Sequence, residues 1–226
     1  MRFAVCVFPG SNCDYDTYYV IRDLLGQEVR FVDHNARRLE GFDCVVIPGG
    51  FSFGDYLRAG VLASRTPLGG ALQDFAQKGG LILGICNGFQ ILTELHLLPG
   101  ALLRNENMSF LCMDVYLRVE NNQLPFTRRF EKGEVIKMPV AHGEGRYYVP
   151  EEELLKMEER GQIVLRYCDE EGKVDRSSNP NGSIGNIAGV CNEEGNVFGL
   201  MPHPERACED LLGYRDGILL WHSLIA

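Results

Sequence analysis

Cys86, two histidines and two glutamates are the residues whose surroundings could support nucleophilic chemistry. Cys86 lies in GICNGFQ (84–90), between Gly84 and Gly88 and directly after the apolar run Leu81, Ile82, Leu83. The spacing G-x-C-x-G is the thiol counterpart of the G-x-S-x-G elbow, in which small flanking residues let a strand turn sharply into a helix and project a nucleophile. A helix N-terminus also favours a thiolate, because its unsatisfied N–H groups carry partial positive charge. A free thiol with a pKa of about 8.5 is only a few per cent ionised at neutral pH, so such help matters. A buried cysteine packing a βα turn could have the same local spelling, and the choice between the two needs a base.

There are five histidines. His96 and His222 fall in helical stretches, and His34 ends a strand-like run with nothing acidic placed to orient it. His142 and His203 each have a glutamate two residues on, in AHGEGR (Glu144) and MPHPER (Glu205). Residues i and i+2 of an extended chain point to the same side, so either pair could set a carboxylate beside an imidazole. Pro202 and Pro204 predict a stiff, extended unit around His203, whereas glycines leave His142 and Glu144 loosely held. A base must be held within hydrogen-bond reach of its nucleophile. The expected triad is therefore Cys86 as nucleophile, His203 as general base and then acid, and Glu205 as orienter. Acyl transfer also needs donors for an oxyanion. The loop IPGGFSFGD (47–55) follows a buried strand-like run, and its Gly50–Phe51 backbone, with the N–H of Asn87, is the expected hole. The two H-x-E pairs could instead suit zinc or iron, but the triad accounts for His203 and Glu205 without a metal, and none is expected. Cys13 and Cys112 read as exposed thiols.

The elements around these residues alternate. FAVCVF, VRFVDH, FDCVVIPGG and LILGI read as strands, and TYYVIRDLLG, PLGGALQDFAQKGG and GFQILTELHLL as helices. Such alternation predicts right-handed βαβ units, hence a doubly wound, mostly parallel sheet with helices on both faces. Cys86 then falls at the carboxyl end of a strand, where open parallel sheets bind their ligands. Beyond Pro99, LCMDVYLRVE, EVIKMPVAHGEGRYYV and QIVLRYCDEEGKV read as strands of an antiparallel extension. NEEGN joins IAGVC to VFGLMP as a hairpin. PEEELLKMEERG predicts a short acidic helix, and RDGILLWHSLIA a terminal helix docked through Leu219 and Trp221. No linker or repeat divides the chain, so residues 1–226 read as one domain.

Composition narrows the partners. The 226 residues carry a net charge of −9 with no basic run, which argues against nucleic acid. No apolar stretch approaches membrane-spanning length. The eight cysteines include no C-x-x-C pair, and several sit in apolar runs as small hydrophobes, so a reduced, cytoplasmic protein is expected.

The PGG loop after a strand, the G-x-C-x-G-x-Q elbow and the late H-P-E, in that order, resemble the triad-type (class I) glutamine amidotransferases. The resemblance implies attack by Cys86 on the side-chain amide of L-glutamine, a γ-glutamyl thioester and release of ammonia. It matches Cys86, His203 and Glu205 to the catalytic positions, Gly50 and Asn87 to the oxyanion hole, and Gln90 to an elbow glutamine that helps hold substrate. GGFSFGDYLRAG, GICNGFQIL, VAHGEGRYY, NPNGSIGNIAGV and GLMPHPER, together with FPGSNCD, are similar to the glutaminase subunits of a purine-biosynthetic ligase. That similarity implies that ammonia passes to a separate large synthetase subunit, which uses ATP and magnesium to aminate formylglycinamide ribonucleotide. A small third subunit often joins the complex. In this light His142 and Gly143 become candidates for a substrate-binding loop. The chain has neither G-x-x-x-x-G-K-[ST] nor G-x-G-x-x-G, so no cofactor is expected on it. The alternative is a cysteine hydrolase or peptidase on a similar sheet. Such proteins commonly place histidine directly after the elbow cysteine, where this chain has Asn87.

Overall fold

The computed structural model describes residues 1–226. The strands are β1 (Arg2–Val7), β2 (Glu28–Asp33), β3 (Cys44–Ile47), β4 (Leu81–Ile85), β5 (Ala101–Leu103), β6 (Leu111–Val119), β7 (Val135–His142), β8 (Arg146–Tyr148), β9 (Ile163–Cys168), β10 (Ile187–Cys191) and β11 (Val197–Leu200). The helices are α1 (Asp14–Tyr19), α2 (Val61–Ser64), α3 (Pro67–Gln77), α4 (Asn87–Glu94), α5 (Glu151–Glu159) and α6 (Asp216–Ile225). A π-helical turn, Val20–Leu24, continues α1 toward β2.

Nine strands form one sheet in the order β2-β1-β3-β4-β11-β10-β9-β6-β7. The neighbours from β2 to β11 are all parallel, and those from β11 to β7 are all antiparallel. The expected extension thus continues the doubly wound sheet edge to edge. The change of direction comes from the β10–β11 hairpin, whose Asn192–Asn196 turn returns the chain beside β4. Strands covered on both faces need continuous apolar runs. β3 is buried throughout, as is β4 from Ile82 to Ile85. α6 closes one face with Leu220, Trp221 and Leu224 buried, while Leu219 is only half-buried.

Three local expectations differ. The segment 134–149 is not one strand: the turn at Gly143–Gly145 ends β7, and β8 pairs with β5 in a separate ribbon. The helix after Cys86 stops at Glu94, and His96 takes a left-handed conformation with φ 56°. The extended unit expected across MPHPER holds only as far as His203. Pro204 opens a 3-10 turn through Arg206, because its fixed φ and missing N–H suit the first position of a helical turn.

Candidate active site

Cys86 stands between β4 and α4 with φ 51° and ψ −104°. A side-chain-bearing residue at positive φ is strained, and such strain persists only where the surroundings over-determine it. The glycines show how they do so. A β-carbon on Gly88 would lie 2.0 Å from the Ile47 carbonyl oxygen, and one on Gly84 would lie 2.8 Å from the Gly88 carbonyl carbon. The end of β3, the elbow and the first turn of α4 are therefore packed backbone against backbone. On the other side, the Cys86 N–H donates to the Leu200 carbonyl at 2.8 Å, tying the elbow to the end of β11.

β11 leads directly to His203, whose own N–H donates to the Pro139 carbonyl on β7 at 2.9 Å. The ring is 2 % exposed, and its Nδ1 lies 2.5 Å from Glu205 Oε1. Glu205 is buried beside it. Burial alone would lower the His203 pKa, but the Glu205 carboxylate and the neighbouring Cys13 and Cys86 sulfurs outweigh it and hold the value well above 6.5. His203 Nε2 is buried with no hydrogen-bond partner of its own. His203 and Glu205 thus lie side by side as the sequence reading expects, although the turn that presents Glu205 is helical rather than extended.

The sequence-assigned oxyanion donors divide. The N–H groups of Gly50 and Asn87 have no backbone acceptor, and Gly50 lines the same cavity as Cys86. The Phe51 N–H is a correction: it donates to the Gly10 carbonyl at 2.8 Å and is not free. That bond belongs to a short bridge between Ser11 and Gly50, which joins the loop after β1 to the loop after β3. Phe51 contributes its half-exposed ring to the cavity wall instead.

The cavity over Cys86 measures about 250 Å³. Drug-sized ligands occupy pockets of roughly 300–1,000 Å³, so this one suits a ligand of amino-acid size. Gln90 holds its wall. Its Oε1 accepts from Asn87 Nδ2 at 2.8 Å, and its Nε2 donates to the Glu144 carbonyl at 2.7 Å. Asp55 and Glu144 both face the same cavity. Burial, reinforced by Glu144, pushes the Asp55 pKa up to about 6, against a lowering hydrogen bond from Asn87.

His142 and Gly143 line the cavity too, but the expectation that His142 is loosely held is corrected. Its ring is buried, and Nδ1 lies 3.1 Å from Asn105 Oδ1. The Asn105 amide is itself fixed, because Nδ2 donates to the Ser109 and His142 carbonyls and Oδ1 accepts from Gly145 N–H. His142 Nδ1 therefore carries the hydrogen, and burial with the nearby His203 lowers its pKa to about 4. Glu144 does not reach His142. It points to Arg104 Nε at 3.5 Å. Two smaller expectations also change. His34 does have an acid beside it, Asp33 Oδ2 at 3.1 Å, and Cys13 is buried, while Cys112 is exposed as expected.

This arrangement can activate a thiol, place a buried base and its carboxylate behind it, and offer free N–H groups to a developing negative charge. A model of the CobB/CobQ-like glutamine amidotransferase domain matches residues 1–213. The chain belongs to the glutamine amidotransferase family. It is 68 % identical over 226 residues to the phosphoribosylformylglycinamidine synthase subunit PurQ of Aquifex aeolicus, covering 100 % of each chain. The corresponding subunit of Moorella thermoacetica is 53 % identical over 225 residues, covering 100 % of this chain and 95 % of the relative. Among solved structures, one of PurLQS from Thermotoga maritima superposes with a TM-score of 0.88 at 46 % identity, over 99 % of this chain and 97 % of that one. The amidotransferase has its sequence-assigned residues Cys86, Gly50, Gln90, His142 and Gly143 around one cavity, while His203 and Glu205 pair with each other outside its lining. Sequence reasoning missed Asp55, Asn105 and Cys13. Cys13 and Asp55 carried a signal, through their places in FPGSNCD and GGFSFGDYLRAG, and Asn105 carried none.

Proposed function

We propose that this amidotransferase hydrolyses L-glutamine to glutamate and ammonia, as the glutaminase subunit of phosphoribosylformylglycinamidine synthase in purine biosynthesis. The observation that carries the chemistry is the strained Cys86 backed by the buried His203–Glu205 pair at a cavity of amino-acid size. The full-length relatives named as subunits of that synthase support the assignment to it. The partner is a separate synthetase subunit, PurL in the Thermotoga complex, with a small third subunit, PurS. ATP and magnesium belong to that synthetase, and residues 1–226 act as one domain with no cofactor of their own. The eight unpaired cysteines suit the reducing cytoplasm, and no helix is long and apolar enough to cross a membrane.

In the first step His203 takes the Cys86 proton, and the sulfur attacks the γ-amide carbon of glutamine. The Gly50 and Asn87 N–H groups receive the oxyanion, a service worth on the order of 3 kcal/mol per donor. His203 then gives its proton to the departing nitrogen, which leaves as ammonia. Water, deprotonated by His203, hydrolyses the γ-glutamyl thioester. Glu205 keeps the imidazole oriented and stabilises its charged form. An electrophilic glutamine analogue should therefore label Cys86 ahead of the other seven cysteines. Peptide mapping that put the main adduct on exposed Cys112 or on buried Cys13 would overturn the assignment.

Glu144 is paired with Arg104, but Asp55 faces the cavity with no cation on it, and the α-ammonium of glutamine is the cation at hand. A hydrogen bond to a charged group contributes about 1.5–3 kcal/mol, so Asp55→Asn should raise KM for glutamine roughly tenfold to a hundredfold. The value of kcat should change little, because the amino group is remote from the bond broken. In the parent enzyme KM should climb as pH falls through about 6, where Asp55 takes up its proton. The Asn variant should lose that dependence. An unchanged KM and pH profile would remove Asp55 from substrate binding.

A further inference from the structure

The cavity over Cys86 has one cationic side chain in its lining, Arg104. His142, the other basic residue in its wall, stays neutral, because burial and the nearby His203 lower its pKa to about 4. The chain pins Arg104 from both sides. Before it, β5 pairs with β8 and sets Leu103 opposite Arg146. After it, Asn105 is fully buried, and its N–H donates to the Gly143 carbonyl at 3.0 Å. The Asn105 amide also bonds Ser109, His142 and Gly145. The Arg104 backbone is therefore fixed beside the cavity, while its side chain is 72 % exposed and stands at the mouth. Its nearest carboxylate oxygen is Glu144 Oε1, 3.5 Å from Nε. Charge-assisted N–H···O bonds are about 2.7–2.9 Å long, so Glu144 steadies the guanidinium and leaves its terminal nitrogens for a ligand.

A glutamine that presents its side-chain amide to Cys86 leaves its α-carbon, with one ammonium and one carboxylate, toward the mouth. Asp55 faces the cavity as the acid for the first group. The second group needs a cation. We propose that Arg104 is the specificity-determining residue for the α-carboxylate of the substrate, gripping it through the terminal nitrogens of the guanidinium while Glu144 steadies Nε. The inference rests on the glutaminase assignment and adds to it a means of choosing free glutamine over glutamine inside a peptide, whose α-carboxyl group is tied up in an amide. The planar fork of a guanidinium matches the two oxygens of a carboxylate. An α-carboxamide offers one oxygen and no charge, so the fork loses a bond and most of the attraction. Asp55 and Arg104 together read the zwitterion.

The test pairs a change of substrate with a change of residue in the assembled synthase. L-Glutamine is compared with its α-amide, whose hydrolysis at the side chain is counted as isoglutamine. The parent should prefer glutamine by about tenfold in kcat/KM, the lower end for a hydrogen bond to a charged group, because the guanidinium is in contact with water. Arg104→Ala should raise KM for glutamine about tenfold, keep kcat within about twofold, and treat the two substrates alike within about threefold. Arg104→Lys keeps the charge without the fork and should fall between. Comparing the enzymes on the same pair of substrates cancels any change in the analogue's own amino group. Iodoacetamide, which has no α-carboxylate, should alkylate Cys86 of the free chain equally fast in the parent and in Arg104→Ala. If Arg104→Ala does not fold, Arg104→Gln keeps much of the stem and should show the same loss of preference. A variant lacking the guanidinium that still preferred glutamine tenfold, or that lost kcat at unchanged KM, would overturn the role. A parent that hydrolysed neither substrate would overturn the glutaminase assignment and this role with it, so the two failures read differently.

Discussion

Cys86→Ala in the assembled synthase is expected to lower glutamine-driven synthesis by on the order of 10⁴-fold or more, while ammonium-driven synthesis stays within about twofold of the parent. The first half follows from the geometry of the elbow. Cys86 alone combines φ 51° at the end of a buried strand with a cavity above it and His203 behind it. No other thiol can replace it, because Cys13 is buried outside the cavity lining and Cys112 is out on β6. The second half follows from the division of labour: a chain that only liberates ammonia is bypassed when ammonia is supplied. Alanine at an N-terminal helix position removes a side chain without altering the backbone pattern, so subunit docking should survive. Synthesis with both nitrogen sources is the decisive measurement. Loss of the ammonium-driven rate would mean that Cys86 also serves the synthetase reaction, and an undiminished glutamine-driven rate would remove it as the nucleophile.

What could be read in the sequence follows how local each cause is. The elbow was legible because Gly84 and Gly88 are required by contacts within a few residues of Cys86 and with the neighbouring strand end, Ile47. Pro202 and Pro204 set His203 ahead of His142 on a difference in rigidity that the fold does not show, since Pro204 opens a helical turn and Asn105 holds His142. What separates the two rings is the Glu205 carboxylate on His203 Nδ1. The corrections at Phe51, His142 and Cys13 trace to partners distant in sequence. Phe51 loses its N–H to Gly10, some forty residues earlier, through a bridge that has no pattern of its own. His142 is held by Asn105, whose amide must be placed by three other bonds before it can orient a ring 37 residues away. Cys13 is buried because its N–H bonds to Gly49 beyond β3 and its sulfur meets Arg206 beyond β11, and no periodicity in FPGSNCD encodes that meeting. The β5–β8 ribbon is only three residues long, too short for an alternating pattern to show.

Gly49 offers a test of the base that substitutes none of the catalytic residues. His203→Ala should reduce thioester formation by on the order of 10⁴- to 10⁶-fold, since members of a triad act as a unit. Gly49→Ala should reproduce part of that loss by displacement. Gly49 does not require positive φ, so alanine adds no backbone strain there. Its β-carbon, however, would stand 2.7 Å from His203 Cε1, closer than carbon atoms can approach, and 3.1 Å from Cys13 Sγ. The ring must withdraw, and because Glu205 holds Nδ1 at 2.5 Å, it withdraws with its carboxylate or breaks that bond. A misplacement of about 1 Å in a reacting group can cost roughly 10²-fold, which is the expected drop in kcat/KM for Gly49→Ala. His142→Ala should leave Cys86 reactive toward the glutamine analogue, because its Nδ1 serves Asn105 rather than a catalytic carboxylate. Adding Gly49→Ala to His203→Ala should cost nothing more, since the group it displaces is already gone. Single-turnover thioester formation in the three single variants and the double variant decides the matter. Full activity in Gly49→Ala would mean that His203 does not work from the position it occupies here, and a further loss in the double variant would mean that Gly49 acts on something other than the base.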